Sequence, residues 1–239
     1  MKSIKPLLTS LCLAGVGVAP VQAGRPLATD DASTADVKSC QVEAWLERAG
    51  PDRAWVLAPT CGVAPGLEIS AELIRLQVPA PWRAAAGLGL KWVPAAWQLA
   101  TPAGEMNLGL KLHTAMVKDV ARGWRSSGSS VLLLLSSLKL GDALTLHTNL
   151  GATRSRLIHS QAALLNLVLA WTPAPDWLLF AEAQTNNRQA VFGATLASGG
   201  ARYWWIKDSL GVDLTASRER AAGGPTLWSL GLGWYGIGL

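Results

Sequence analysis

Leu108-Gly109-Leu110-Lys111-Leu112-His113 puts leucine at every even position and a small or polar residue at every odd one. Successive side chains of a strand point to opposite faces, so this stretch presents one wholly apolar face and one that carries glycine, lysine and histidine. The pattern recurs along the chain. Leu144, Leu146, Thr148 and Leu150 alternate with Thr145, His147, Asn149 and Gly151; Leu67, Ile69, Ala71 and Leu73 with Glu68, Ser70 and Glu72; Leu210, Val212, Leu214 and Ala216 with Gly211, Asp213, Thr215 and Ser217. Val42, Ala44 and Leu46 alternate with Gln41, Glu43 and Glu47, and Trp45 breaks that phase. A strand with apolar residues on one side and glycine or polar groups on the other fits a membrane barrel, whose outer face meets lipid and whose lumen is polar.

Composition agrees. The 239 residues are 50% hydrophobic and only 15% charged, against roughly 25% charge in soluble domains. Helices cannot place this apolar surface in a bilayer, because a span needs about 20 apolar residues. The longest uncharged stretches are 157–175, which holds His159, Gln161 and Asn166, and 223–239, which has six glycines.

Twelve strands are expected: 40–48, 53–61, 67–76, 84–93, 106–117, 129–140, 143–154, 160–171, 177–185, 199–206, 209–218 and 226–238. The fold class is therefore all-β, an antiparallel transmembrane barrel of about 12 strands, with 10 or 14 as alternatives because 53–61 and 129–140 are apolar on both faces and 190–198 has room for an additional strand. If the first strand runs outward, 141–142, 172–176 and 207–208 are short periplasmic turns, and 118–128, 186–198 and 219–225 are longer external loops. The long turn at 94–105 suggests a small extra element.

The first 23 residues have a basic start at Lys2 and Lys5, an apolar stretch and Val21-Gln22-Ala23 before Gly24, the pattern of a cleaved secretory signal. Three domains follow from this: a signal peptide at 1–23, an N-terminal periplasmic segment at 24–39 and the barrel at 40–239. Cleavage leaves 19 Lys and Arg (21 less Lys2 and Lys5) against 16 acids, so the mature net charge falls from +5 to +3. The mature cysteines, Cys40 and Cys61, open the first strand and close the second, where a cross-strand disulfide is reasonable. They are too few for a zinc site, and no metal or cofactor is expected.

Arg122, Arg125, Arg154, Arg156, Arg218 and Arg220 fall at or beyond the external ends, a basic rim suited to lipopolysaccharide phosphates rather than nucleic acid. Trp92, Trp171, Trp177, Trp204, Trp205 and Trp234 near periplasmic ends, with Trp55, Trp124 and Trp228 near external ones, suggest two interfacial girdles. The lumen candidates are Glu68, Glu72, Lys91, Lys111, His113, His147, Asn149, Glu182, Gln184 and Asp213. Glu72, His147 and Asp213 lie at similar depth on alternate outward strands and are expected to share a layer. No catalytic residues are assigned: His147 has Thr148 pointing the opposite way, and no serine is found at a matching offset on its face.

The opening Gly24-Arg25-Pro26-Leu27-Ala28-Thr29-Asp30-Asp31-Ala32 and Cys40-Gln41-Val42-Glu43-Ala44-Trp45, with the later 210–215 and 231–234, resembles small Gram-negative outer-membrane barrels grouped with the outer-membrane transporters of phenol-degradation pathways. The resemblance implies a diffusion or uptake role, no catalytic residues, and contact with the barrel-assembly machinery, which often reads a terminal aromatic residue where this chain has Leu239. The expected function is a passive pore or transport-related protein in the outer membrane of a Gram-negative bacterium, passing an unidentified small solute and bounded by outer-membrane lipids and lipopolysaccharide. The alternatives are a lipid-modifying enzyme and a closed structural or surface-binding barrel.

Overall fold

A computed structural model describes residues 26–77, 82–119, 121, 123–125, 129–220 and 224–238. The signal-peptide reading at 1–23 and the rim residue Arg122 lie outside the described residues. Among these, fourteen strands follow one another: β1 (Ser39–Ala49), β2 (Asp52–Ala64), β3 (Leu67–Gln77), β4 (Trp82–Trp92), β5 (Gln98–Thr101), β6 (Gly104–Asp119), β7 (Gly123–Arg125), β8 (Ser129–Leu140), β9 (Leu144–Ser155), β10 (Ser160–Ala174), β11 (Trp177–Asn186), β12 (Leu196–Ile206), β13 (Leu210–Glu219) and β14 (Leu227–Gly238).

Twelve of them form a closed antiparallel barrel in sequence order, sealed where β14 pairs with β1 and continuous where β4 pairs with β6. The other two are appendages. β5 pairs with the start of β6, so the 94–105 turn holds a short hairpin preceded by a 3-10 turn (Ala95–Trp97), and β7 pairs with the far end of β6. Between β11 and β12 the chain makes one helical turn, α1 (Gln189–Phe192), rather than an additional strand.

Closure removes every sheet edge, which is the condition for strands to cross a bilayer. The period-two reading sorts the side chains. Leu88 is 63% exposed on the outer wall, while Leu133 and Leu135 are fully buried inside. The doubly apolar β8 thus has leucine on both faces for two reasons: Leu132 and Leu134 face outward, and Val131, Leu133 and Leu135 pack in the lumen with Leu164. The row Leu110, Leu134, Leu150 and Leu165 runs in register across β6, β8, β9 and β10 near mid-height. Leu134→Arg or Leu150→Arg is expected to cost about 2–4 kcal/mol of stability, measured by urea unfolding in phospholipid vesicles; no loss would mean that this wall does not face hydrocarbon.

Tryptophans divide in two. Trp55, Trp92, Trp124, Trp171, Trp177, Trp205, Trp228 and Trp234 are exposed. Trp204, assigned above to a girdle, instead turns toward Arg202 and Tyr235. Trp45 breaks the phase of β1 because it is an inward residue. Its ring packs with Ala54, Val56, Ile74, Leu76, Ala85 and Val117, and its indole N–H donates to Glu47 at 2.9 Å. Leu157, from the β9–β10 loop, packs on that cluster.

Candidate functional site

The segment at 24–39, read above as periplasmic, runs inside the barrel over residues 26–35, and Asp36, Val37 and Lys38 are exposed. Residues 26–38 have no strand or helix of their own, so their backbone donors need partners from the wall. The wall supplies them. Glu182 accepts from the backbone N–H of Ala28 and Thr29 and from the Thr29 hydroxyl, the last at 2.5 Å. Asn149 clamps Asp30 from both sides, its Oδ1 accepting from the Asp30 N–H and its Nδ2 donating to the Asp30 carbonyl, each at 2.7 Å. Ser137 Oγ accepts from Ala32 N–H at 2.7 Å, and Glu68 from Ala35 N–H at 2.9 Å.

Packing and charge complete the seat. Leu27 packs on Val168 and Phe180, and Ala32 packs among Val131, Leu133, Leu135 and Leu164. The Asp30 carboxylate is wholly buried, a position that is costly for an ion without counter-charges. Lys91 Nζ meets it at 3.0 Å and Lys111 Nζ is paired with its other oxygen; Lys91 also reaches Asp31 and Glu68, both at 3.1 Å. At Gly62 any side chain would collide with the carbonyl oxygens of Ala35 and Asp36, which lie 2.3 and 2.2 Å from where its Cβ would stand. Glycine is what lets the segment lie against β2 before Lys38 N–H bonds the Gly62 carbonyl at 3.0 Å.

A second cluster centres on Arg202. Its guanidinium donates to Asp213 at 3.1 Å and to the Tyr235 hydroxyl at 2.5 Å, lies 3.8 Å from Glu43, and sits over the rings of Trp204 and Tyr235. Tyr235 in turn donates to Glu43. A third pair, Glu72 and His113, is 3.7 Å apart, with Gly87 leaving room for the imidazole.

The expected layer of Glu72, His147 and Asp213 does not form. Each has a different partner: His113 for Glu72, Arg202 for Asp213, and Ser137 for His147. The last pairing corrects the reading that His147 lacks a serine. Ser137 and His147 face each other across the β8–β9 hairpin, with Oγ and Nδ1 at 2.7 Å. The structure thus brings Glu68, Lys91, Lys111, Asn149, Glu182 and, through Ser137, His147 around the segment. Glu72, His113 and Asp213 stand apart from it. Arg125, Arg154, Arg156, Arg218 and Arg220 are exposed at the external ends. Asp30, Asp31, Ser137, Arg202 and Tyr235 were missed. Inward phase alone marks Arg202, because it shares a face with Gly200 and Trp204.

Cys40 and Cys61 are disulfide-bonded as a direct cross-strand pair where β1 begins and β2 nears its end. Among the described residues no group of three or more His, Cys, Asp or Glu could hold a metal ion. Beside the segment a cavity of about 340 Å³ remains, bordered by Asp31, Glu68, Lys91, His147, Arg202 and Tyr235. A tightly fitted polypeptide with this cavity along one flank is what the lumen contains.

The model of the family described as uncharacterised conserved protein UCP029691 matches residues 12–231. The chain belongs to that family. No curated protein matches it. Among solved structures, the fold of this family member is similar to that of the KdgM porin, with a TM-score of 0.61 at 13% identity over 81% of this chain and 98% of that one. It is similar also to the NanC porin (TM-score 0.57, 9% identity, 84% and 100% covered) and to the COG4313 outer membrane channel from Pseudomonas putida F1 (0.56, 10%, 86% and 98%). At such identities the likeness concerns the fold.

Proposed function

We propose that this chain is exported with loss of residues 1–23 and serves in the outer membrane of a Gram-negative bacterium as a pore for a small solute, stoppered by its own N-terminal segment. The observation that carries this is the Asp30 carboxylate held between Lys91 and Lys111 in the middle of the lumen. The stopper is tied by side chains, so it can leave without unfolding the wall. The porin and channel neighbours support passage, and the KdgM porin has been solved in complex with disordered oligogalacturonate. In this chain, departure of Asp30 presents two ammonium groups to the lumen, which favours an anionic solute. Kinship with the transporters of phenol-degradation pathways rests on the resemblance of the opening residues and belongs to this proposal. So do lipopolysaccharide at the basic rim and insertion by the barrel-assembly machinery.

The test is a lock. Ala32→Cys with Ser137→Cys places two thiols where a backbone N–H now meets a hydroxyl at 2.7 Å. Placed in the Asp30→Ala background, whose segment unseats often, the oxidised lock is expected to be silent in planar bilayers and to show openings after dithiothreitol, with reduced Asp30→Ala as control for Cys40 and Cys61. Equal behaviour before and after reduction would sink the stopper reading.

The contact between Ser137 and His147 favours a second reading, hydrolysis of a lipid ester. Against it, the Ser137 hydroxyl already accepts from Ala32, and the pair lies inside the wall, away from lipid. Fatty-acid release from phospholipid micelles that disappears in Ser137→Ala would establish it.

A further inference from the structure

A concave patch of about 940 Å³ lies on the barrel and is lined from five strands and the loop after β11, including Leu90, Leu112, Leu132, Arg154, Gln161 and Arg188. Those strands, β4, β6, β8, β9 and β10, are consecutive neighbours, and most of the lining side chains are exposed. The hollow is therefore in the outer wall, not the lumen.

Register explains its shape. One outward row runs Leu88, Thr114, Ser130, Arg154, Gln161, and the next row toward the periplasm runs Leu90, Leu112, Leu132, Ala152, Ala163. Alanine at the β9 and β10 positions of the lower row leaves a trough beside three leucines. In the upper row the hydroxyls of Thr114 and Ser130 are 3.3 Å apart and Arg154 stands next to Ser130. Arg188 reaches over from the external side, donating weakly to the Gln161 carbonyl at 3.4 Å. Among the described residues no acidic side chain lines the hollow. Two guanidiniums and two hydroxyls above an apolar trough are polar groups on a wall that should be uniformly apolar, and an ionised ligand oxygen would satisfy them.

We infer that this hollow is a binding site for the phosphorylated, acylated glycolipid of the outer leaflet, with a phosphate on Arg154 and Arg188 and acyl chains along Leu90, Leu112, Leu132, Ala152 and Ala163. Guanidinium forks match phosphate oxygens, and the trough lies on the membrane side of them. The inference rests on the outer-membrane placement proposed above and is independent of whether the lumen conducts.

Native mass spectrometry of the full mature protein titrated with diphosphoryl lipid A tests it. The wild type is expected to bind one molecule in preference to phosphatidylethanolamine and phosphatidylglycerol. Arg154→Glu with Arg188→Glu should weaken that binding about tenfold or more, and Ala152→Trp should weaken it with every charge intact. Heat-modifiable gel mobility confirms that each variant is folded. Equal binding by wild type and variants, or equal retention of phosphatidylglycerol, would overturn the site. The same substitutions placed in a barrel lacking residues 26–36 should leave its conductance unchanged, which separates failure of this site from failure of the pore reading.

Discussion

Deleting residues 26–36 from the mature chain is expected to convert a silent barrel into one with discrete conductance steps in planar bilayers. The segment removed contributes Leu27 to one packing cluster, Ala32 to another, and Asp30 to two buried ion pairs. It bears no strand of the wall, so the barrel remains. Asp30→Ala is the graded version. Breaking a buried pair by truncating one partner costs about 3–5 kcal/mol, which shifts the ratio of seated to unseated segment by roughly two to four orders of magnitude. Openings should therefore be frequent in Asp30→Ala and near-continuous in the deletion. A synthetic peptide of residues 24–39 added on the periplasmic side should close the deleted barrel again, less effectively at high salt. A folded deletion variant that neither conducts nor admits solute into liposomes would refute the pore.

Arg202→Met should destabilise the barrel by about 3–5 kcal/mol, the cost of leaving buried carboxylates without their cation. The two carboxylates are Glu43 on β1 and Asp213 on β13, and Tyr235 on β14 accepts from Arg202 and donates to Glu43. Loss of the guanidinium also removes the group stacked on Trp204 and Tyr235. Urea unfolding followed by heat-modifiable mobility measures the effect. Adding Asp213→Asn to Arg202→Met should recover part of it, since one uncompensated charge is gone. A near-neutral Arg202→Met would show that the cluster is solvated rather than buried.

The barrel itself was legible because lipid and lumen impose opposite demands on alternate residues, and Leu108 to His113 obeys both. β8 was harder: with leucine on both faces, periodicity fades, and only closure of the barrel explains why Leu133 and Leu134 are both apolar. The Ser137–His147 pair was within reach. A hairpin turning at Gly141 and Asp142 sets them opposite each other, so the offset that matters runs across two strands rather than along one. The stopper was not legible. Residues 26–38 have no periodicity, and their fit depends on polar side chains from six strands that only the closed barrel assembles. The adjacent acids Asp30 and Asp31 were the one hint, facing inward lysines on β4 and β6.

The seam between β14 and β1 sets an order of events for the nascent molecule. The stopper's named anchors, Gly62, Glu68, Lys91, Lys111, Ser137, Asn149, Val168 and Glu182, all belong to β2 through β11. A curved, still unsealed wall of those strands already offers every one of them. The first part of the mature chain to be made can thus lodge while the last three strands are still arriving, and the final pairing of β14 with β1 shuts it in. Assembled this way, the barrel is born occupied, and vacancy is something that must later be brought about.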